Sequence, residues 1–353
     1  MRERIPLRKH STIAPHTASS TVPQPAGSDV APLPHRRLIS LSGPDAAKFL
    51  QGLLTNNVDP NRQSPFYAAF LDARGRVLWD VFIWVWPELV AEKGHWACYI
   101  EVDESEAEAL KKHLKRHKLR SKITIEQVEE RATVWAAWGS VAERVDDKDV
   151  ISSLLDPRAP DLHRYLVKTD CKSLVEGLEP ADVADYHLQR YRYGIPEGPM
   201  EITRESALPM ECNIDLSSGI DFKKGCYVGQ ELTIRTKHTG VVRKRMLPIQ
   251  LDMSDTEPLP QSGTDIKQLD ENGGIKKGRA TGKFIAGIGN VGLALCRLEM
   301  MTSMKISAEG GSWKPGMEFG IDTGGGVVKV KPVLYDWFVL RERDLWDKNR
   351  KRI

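Results

Sequence analysis

Residues 66–87, FYAAFLDARGRVLWDVFIWVWP, decide the fold class. Phe66 to Leu71 reads as a strand. Asp72-Ala73-Arg74-Gly75 is a tight turn in which Gly75 is free to take positive φ. Arg76 to Trp86 returns as a second strand, rich in Val, Trp, Phe and Ile, and Pro87 ends it. This is a β-hairpin, and Trp96 to Val102 adds a third strand. Upstream, Leu38 to Leu41 is strand-like. Ser42-Gly43-Pro44-Asp45 then opens a helix: Ser42 can cap it, Pro44 suits an early helical position, and Ala46, Ala47, Phe49, Leu50 and Leu53 form its apolar stripe. Downstream, Glu104 to Leu119 reads as a helix with Glu104, Glu106 and Glu108 at its start and Lys111, Lys112, Lys115, Arg116 and Lys118 at its end. Acid first and base last complements the helix dipole, so the basic run needs no nucleic-acid explanation. Lys122 to Glu129 and Ala132 to Trp138 are expected strands, and helix returns around Ala181 to Tyr191. Strands interspersed with helices, without regular βα alternation, predict an α+β fold.

The helical signal fades from Thr233. Residues 251–280 form a polar stretch expected to be a surface loop. Strand-like runs follow at 281–286, 291–297, 303–308 and 327–339, which predicts a small C-terminal β-barrel or sandwich. The division expected is a leader at 1–35, an α+β region of two subdomains at 36–240, and a barrel domain at 241–353 with 251–280 as an insertion. The leader carries Arg2, Arg4, Arg8 and Lys9 against Glu3 and Asp29, with recurring Ser and Thr and no apolar core. It resembles an organellar presequence rather than a secretory signal.

The 353 residues suffice for two or three domains, at about 150 residues each. The net charge of +3 imposes no field that demands nucleic acid or membrane. The longest strongly apolar run, Val81 to Trp86, is far short of the roughly 20 residues of a spanning helix. Five cysteines are scattered without C-x-x-C, which argues against a disulfide scaffold or structural zinc. Gly287-Ile288-Gly289-Asn290-Val291-Gly292 matches a dinucleotide fingerprint only literally, since strands surround it; a glycine-rich β-turn is expected. His113 and His117 stand four apart on the basic helix, and flanking Lys and Arg favour a solvated face over a metal site.

The informative segment is 221–246, DFKKGCYVGQELTIRTKHTGVVRKRM, with seven Lys or Arg against Asp221 and Glu231. Lys223-Lys224-Gly225-Cys226 places a thiol after two cations, and positive charge favours thiolate. Gly225 and Gly229 bracket it and allow a sharp turn and a close partner. Gln230 and Glu231 would open a helix whose N-terminus also supports the thiolate. The thiolate would serve as nucleophile or soft metal ligand. His238 is a candidate partner for it. Arg243, Lys244 and Arg245 are a candidate docking surface for an acidic partner.

Lys224-Gly225-Cys226-Tyr227-Val228-Gly229-Gln230-Glu231, with Arg235 behind it, resembles the K-G-C-Y-x-G-Q-E-x-x-x-R signature of the YgfZ branch of the aminomethyltransferase-like, folate-binding superfamily. Four further blocks are similar to that family: Phe49 to Val58, Ala69 to Val77, Arg190 to Glu197, and Leu208 to Glu211. With its leader, the chain resembles the eukaryotic mitochondrial branch, the iron–sulfur cluster assembly factors. The resemblance implies a fold like the glycine-cleavage T-protein, with domains and a C-terminal barrel around a central opening. It implies work in the mitochondrial matrix with A-type scaffold proteins, late in the maturation of [4Fe–4S] clients. For Cys226 it implies a metal-ligand role toward a [2Fe–2S] cluster shared with the partner, with no catalytic residue assigned. One cysteine cannot complete a cluster's ligand set, so the partner must supply thiolates. Tetrahydrofolate is the cofactor that fold kinship suggests, and Asp72 the carboxylate a transferase would need, although its turn position explains it equally. A folate-dependent aminomethyl transferase and a tRNA-modification-associated protein are the alternative functions. Direct nucleic-acid binding is not expected, since no aromatics interleave the basic stretch.

Overall fold

In the computed structural model, residues 27, 29–128, 131–146, 148–254, 257–308 and 310–350 are described, the last four without their side chains. Strands β1 (Asp29–Pro32), β2 (Arg36–Ser42), β3 (Phe66–Leu71), β4 (Val77–Trp84), β5 (Ala97–Asp103) and β6 (Thr124–Gln127) alternate irregularly with helices α1 (Ala46–Gln51), α2 (Pro87–Lys93) and α3 (Ala107–Lys118). Then follow β7 (Ala132–Trp138), β8 (Val150–Leu155), β9 (Leu162–Lys168), α4 (Val183–Tyr193) and α5 (Gln230–Thr239). A five-stranded sheet has the order β3-β4-β5-β2-β6, and a four-stranded sheet the order β1-β7-β9-β8. All their pairings are antiparallel, which is the α+β class expected. Both strands of the β3–β4 hairpin are buried along their whole length. One face meets α1 and α3 through Phe70, Leu50 and Leu114, and the other meets the core shared with the second sheet through Tyr67, Phe82 and Trp84.

The C-terminal part closes into a six-stranded barrel. Its strands are β10 (Lys244–Asp252), β11 (Asp265–Gln268), β12 (Gly282–Ile288), β13 (Val291–Arg297), β14 (Phe319–Asp322) and β15 (Val327–Pro332), with a short helix α6 (Leu298–Met301) after β13. Closure pairs β10 with both β13 and β15 and leaves no free sheet edge. The Gly289-Asn290 pair turns between β12 and β13, so the glycine run is a hairpin turn and not a phosphate loop.

Several expectations need correction. The leader expected at 1–35 ends inside the fold: β1 pairs with β7, and Val30, Ala31 and Leu33 are buried. An edge strand tolerates the proline at 32, and this is what hid it among the other prolines. Residues 1–26 of that leader lie outside the described residues. The stretch 251–280 is no simple insertion, because β11 within it is a barrel strand with Ile266 fully buried. Residues 303–308 form no strand; Glu299 instead accepts hydrogen bonds from the Ile306 and Ser307 N–H groups. The run at 327–339 breaks after Pro332, and a terminal helix α7 (Asp336–Arg350) follows. His113 is buried against Phe70 and Trp79 rather than solvated. Burial, and then the neighbouring His117 and Arg116, lower its pKa to about 4.

Candidate functional site

Of the five cysteines, Cys226 alone is exposed. Cys98, Cys212 and Cys296 are buried and Cys171 is half-buried. Burial pushes the thiols of Cys98 and Cys212 far up, and that of Cys296 up to about 12. These buried thiols are inert as ligands or nucleophiles near neutral pH.

The loop carrying Cys226 is built by its neighbours. Lys224 turns inward, and its ammonium donates to the carbonyls of Gln51 at 2.9 Å, Leu54 at 2.5 Å and Asn56 at 2.8 Å. Those carbonyls close the C-terminal end of α1 and the turn after it, where a cation is favourable. Burial lowers the Lys224 pKa to about 8, with Asp221 opposing. Lys224 also lies 4.9 Å from the Tyr227 ring centre. Lys224 is thus fastened to the end of α1, and it positions the loop. Lys223 is exposed. Val228 N–H donates to Gly52 O at 3.1 Å, and the Tyr227 N–H donates to the Gln230 side chain at 3.2 Å. Tyr227 is buried beneath the loop. The result is a tethered loop that lifts one thiol into solvent just before α5.

Gly229 joins this loop to the β3–β4 turn. It has φ +80°, and a Cβ there would lie 2.3 Å from Asp72 O and 2.9 Å from Leu71 Cβ. Gly75 faces it across the same contact. Gly229→Ala therefore combines left-handed strain with overpacking, and should cost about 2–5 kcal/mol in urea unfolding. Gly225 sits in open space without positive φ, so the backbone here does not use the sharp turn that a glycine allows. Gly225→Ala should stay within about 0.5 kcal/mol of the wild type. Equal costs at the two glycines would show that the contact with Asp72 is not what selects Gly229.

The remaining candidates separate. Glu231 and Arg235 are exposed on α5. His238 lies in its last turn, about 12 Å along the helix from Gln230, so it does not share the thiol's end of the helix. Arg243 is exposed, while Lys244 pairs with Glu211 at 2.7 Å. Arg245 is fully buried, bonded twice to Asp215 at 2.8 Å and packed against Trp346 of α7. The docking surface expected at 243–245 is thus reduced to Arg243, because partners distant in sequence consume the other two charges. Asp72 accepts the backbone N–H groups of Arg74 and Arg76 and pairs with the Arg74 side chain. Burial would raise its pKa, but these bonds hold it below the usual carboxylate range. That is the chemistry of a turn, not of a general base.

Sequence reading missed the polar junction between the two sheets. Glu101 is fully buried and accepts from Arg36, Arg164 and Trp84. Arg158, Arg164 and Tyr186 converge on Glu197. Only the Arg190 to Glu197 block pointed there. Beside this junction, the enclosed space lined by Tyr67, Arg158, Gly194, Asn213 and Phe338 has a volume of about 10 Å³. That is room for one water at most, against roughly 300 Å³ or more for a small-molecule site. Tetrahydrofolate does not fit this space.

Among the described residues, no group of three His, Cys, Asp or Glu side chains could hold a metal ion. None of their helices is long and apolar enough to cross a membrane.

Comparison with known proteins agrees with this geometry. Residues 243–339 match the family model described as the CAF17 C-terminal beta-barrel domain. The chain is 56% identical over 352 residues to the mitochondrial iron–sulfur cluster assembly factor IBA57 homolog of Phaeosphaeria nodorum, covering 95% of this chain and 86% of that protein. It is 41% identical over 393 residues to the protein of the same description from Aspergillus fumigatus, covering 94% and 87%. The glycine cleavage system aminomethyltransferase T of Bartonella henselae superposes with a TM-score of 0.63 over 90% of this chain and 87% of that one. At 14% identity this likeness concerns the fold alone.

Proposed function

The chain belongs to the IBA57 family of mitochondrial iron–sulfur cluster assembly factors, and we propose that it does this work in the matrix by holding a [2Fe–2S] cluster between Cys226 and an A-type scaffold protein, on the way to [4Fe–4S] clients. The observation that carries the reading is the tethered, solvent-facing Cys226, set apart from four buried or half-buried cysteines. Binding iron there exchanges the thiol proton for a thiolate–iron bond, and that proton leaves to solvent. The cluster is cargo, not a resident group. With no metal-binding group of three side chains among the described residues, the other ligands must come from the second protein. This requirement explains why the loop is exposed rather than enclosed.

The test is anaerobic mixing of the chain with an A-type scaffold, iron and sulfide. A one-to-one complex with the visible absorption and circular dichroism of a [2Fe–2S] cluster is expected, distinct from the spectrum of either protein alone. Additive spectra, with no cluster migrating in the mixed complex, would overturn the proposal.

A further inference from the structure

Leu119 is 87% exposed, the most exposed of the large apolar side chains among the described residues. Its backbone has φ +43° and ψ −112°, a conformation that a leucine adopts only under strain. The strain is held from both sides. Asp45 accepts the Lys122 N–H through its carboxylate at 2.7 Å and donates its own N–H to Lys122 O at 3.5 Å. Gly43, at φ +136°, lets the Lys122 backbone come so close that a Cβ would lie 2.3 Å from Lys122 O. The segment after α3 is therefore fastened to the start of α1, and the fastening presents a leucine to water.

Between the two elements lies an open depression of about 630 Å³, lined by Asp45, Lys48, Phe49, Leu119, Arg120 and Ser121. Lys48 and Arg120 line it, Lys118 and Lys122 flank the lining segment 119–121 in sequence, and none of the four makes an ion pair among the described residues. Asp45 is the acidic group in the lining, and its carboxylate is engaged by the Lys122 N–H. Helix α1 runs from the depression to the residues that tether the Cys226 loop. Lys48 precedes Gln51 and Gly52 by three and four residues, so they share one face of the chain. Gln51 O and Gly52 O are the acceptors for Lys224 and Val228, on either side of Cys226. The rise from Lys48 to Gln51 and Gly52 is one helical turn, about 5–6 Å along the axis.

We propose that this basic-rimmed depression beside Leu119 is a docking surface for an acidic protein partner that seats an apolar side chain against Leu119 and Phe49. Resting on the function proposed above, the partner is the protein that completes the cluster at Cys226. Charge complementarity commits the occupant to an acidic face, and continuity along α1 places its second contact at the thiol. Under this reading the strained backbone at Leu119 serves to present its side chain to a partner.

The test uses the full chain and an iron-free A-type scaffold, with association measured by calorimetry at low and high salt. Leu119→Gly removes the side chain and relieves the backbone. It should leave thermal stability equal or raised, yet weaken association at least tenfold. Lys48→Glu/Arg120→Glu should weaken it as much and flatten the salt dependence. Cys226→Ser should change this iron-free association less than threefold while losing the cluster. If Leu119→Gly binds within twofold of wild type, or loses stability, the docking proposal fails. Self-association of the wild type that Leu119→Gly abolishes would assign the surface to a second copy and overturn it equally. Weakened binding by Leu119→Gly together with a cluster retained by Cys226→Ser would sink the cysteine reading alone.

Discussion

Cys226→Ser is expected to reduce the cluster content of the mixed complex to background while leaving the fold untouched. The side chain is exposed, so the change should stay within about 0.5 kcal/mol of the wild type in unfolding. A serine oxygen remains protonated at neutral pH and is a hard donor, whereas iron–sulfur clusters are held by thiolate. The backbone tethers do not involve the sulfur: Lys224, Val228 and Gln230 fix the loop through their own groups. The variant thus isolates one ligand from the architecture around it. Cys171→Ser is the matched control, since Cys171 is half-buried, with its thiol donating to the Ser173 carbonyl at 3.2 Å. It should retain the full spectrum. A Cys226→Ser complex with undiminished visible absorption and cluster lifetime would leave the loop as scaffolding and require the ligand elsewhere.

The parts of the molecule legible in the sequence are those fixed by local pattern. The hairpin at 66–87 carried its own turn residues, and the strand expected at 291–297 matches β13 residue for residue. Strand β8 was invisible because it is a half-exposed strand without clean alternation. The site divides in the same way. Cys226 stood out through its flanks, but the destination of each flanking charge is a tertiary fact. Lys224 reaches carbonyls about 170 residues upstream, and Arg245 meets an aspartate 30 residues away. A run of cations in sequence says nothing of which ones remain free. Here the free ones lie partly elsewhere, at Lys48 of α1 and in the segment that follows α3 beside Leu119.

Glu101→Gln is expected to destabilise the chain by about 3–5 kcal/mol, the cost of leaving buried charge uncompensated. Glu101 is fully buried on β5 and holds Arg36 of β2 at 2.7 Å, Arg164 of β9 at 3.1 Å and the Trp84 indole of β4 at 2.9 Å. It is thus the acidic centre of the contact between the two sheets. The terminal nitrogens of Arg36 have no hydrogen-bond partner among the described residues, so its Nε bond to Glu101 is its anchor. Burial would raise the Glu101 pKa, but Arg164 and Arg36 outweigh it and hold the carboxyl below its ordinary value. A carboxyl depressed in the folded state contributes stability that is complete above its unfolded pKa, about 4.3, and is lost as pH falls through the folded value. Wild-type stability should therefore decline with acid below about pH 4.3, and Glu101→Gln should show a shallower acid limb from a lower plateau. Glu197 shares this behaviour, held down by Arg164, Arg36 and Arg158 against burial, so part of the limb survives in the variant. Adding Arg164→Met to Glu101→Gln removes one of the two cations that faced Glu101 and should recover part of the loss, though not all, because Arg36 stays without its Nε partner and Arg164 also bonds Tyr186 at 2.7 Å and Glu197 at 3.3 Å. Urea unfolding at neutral and acid pH measures both effects. A loss under about 1 kcal/mol with an unchanged acid limb would mean that water reaches this junction and screens it.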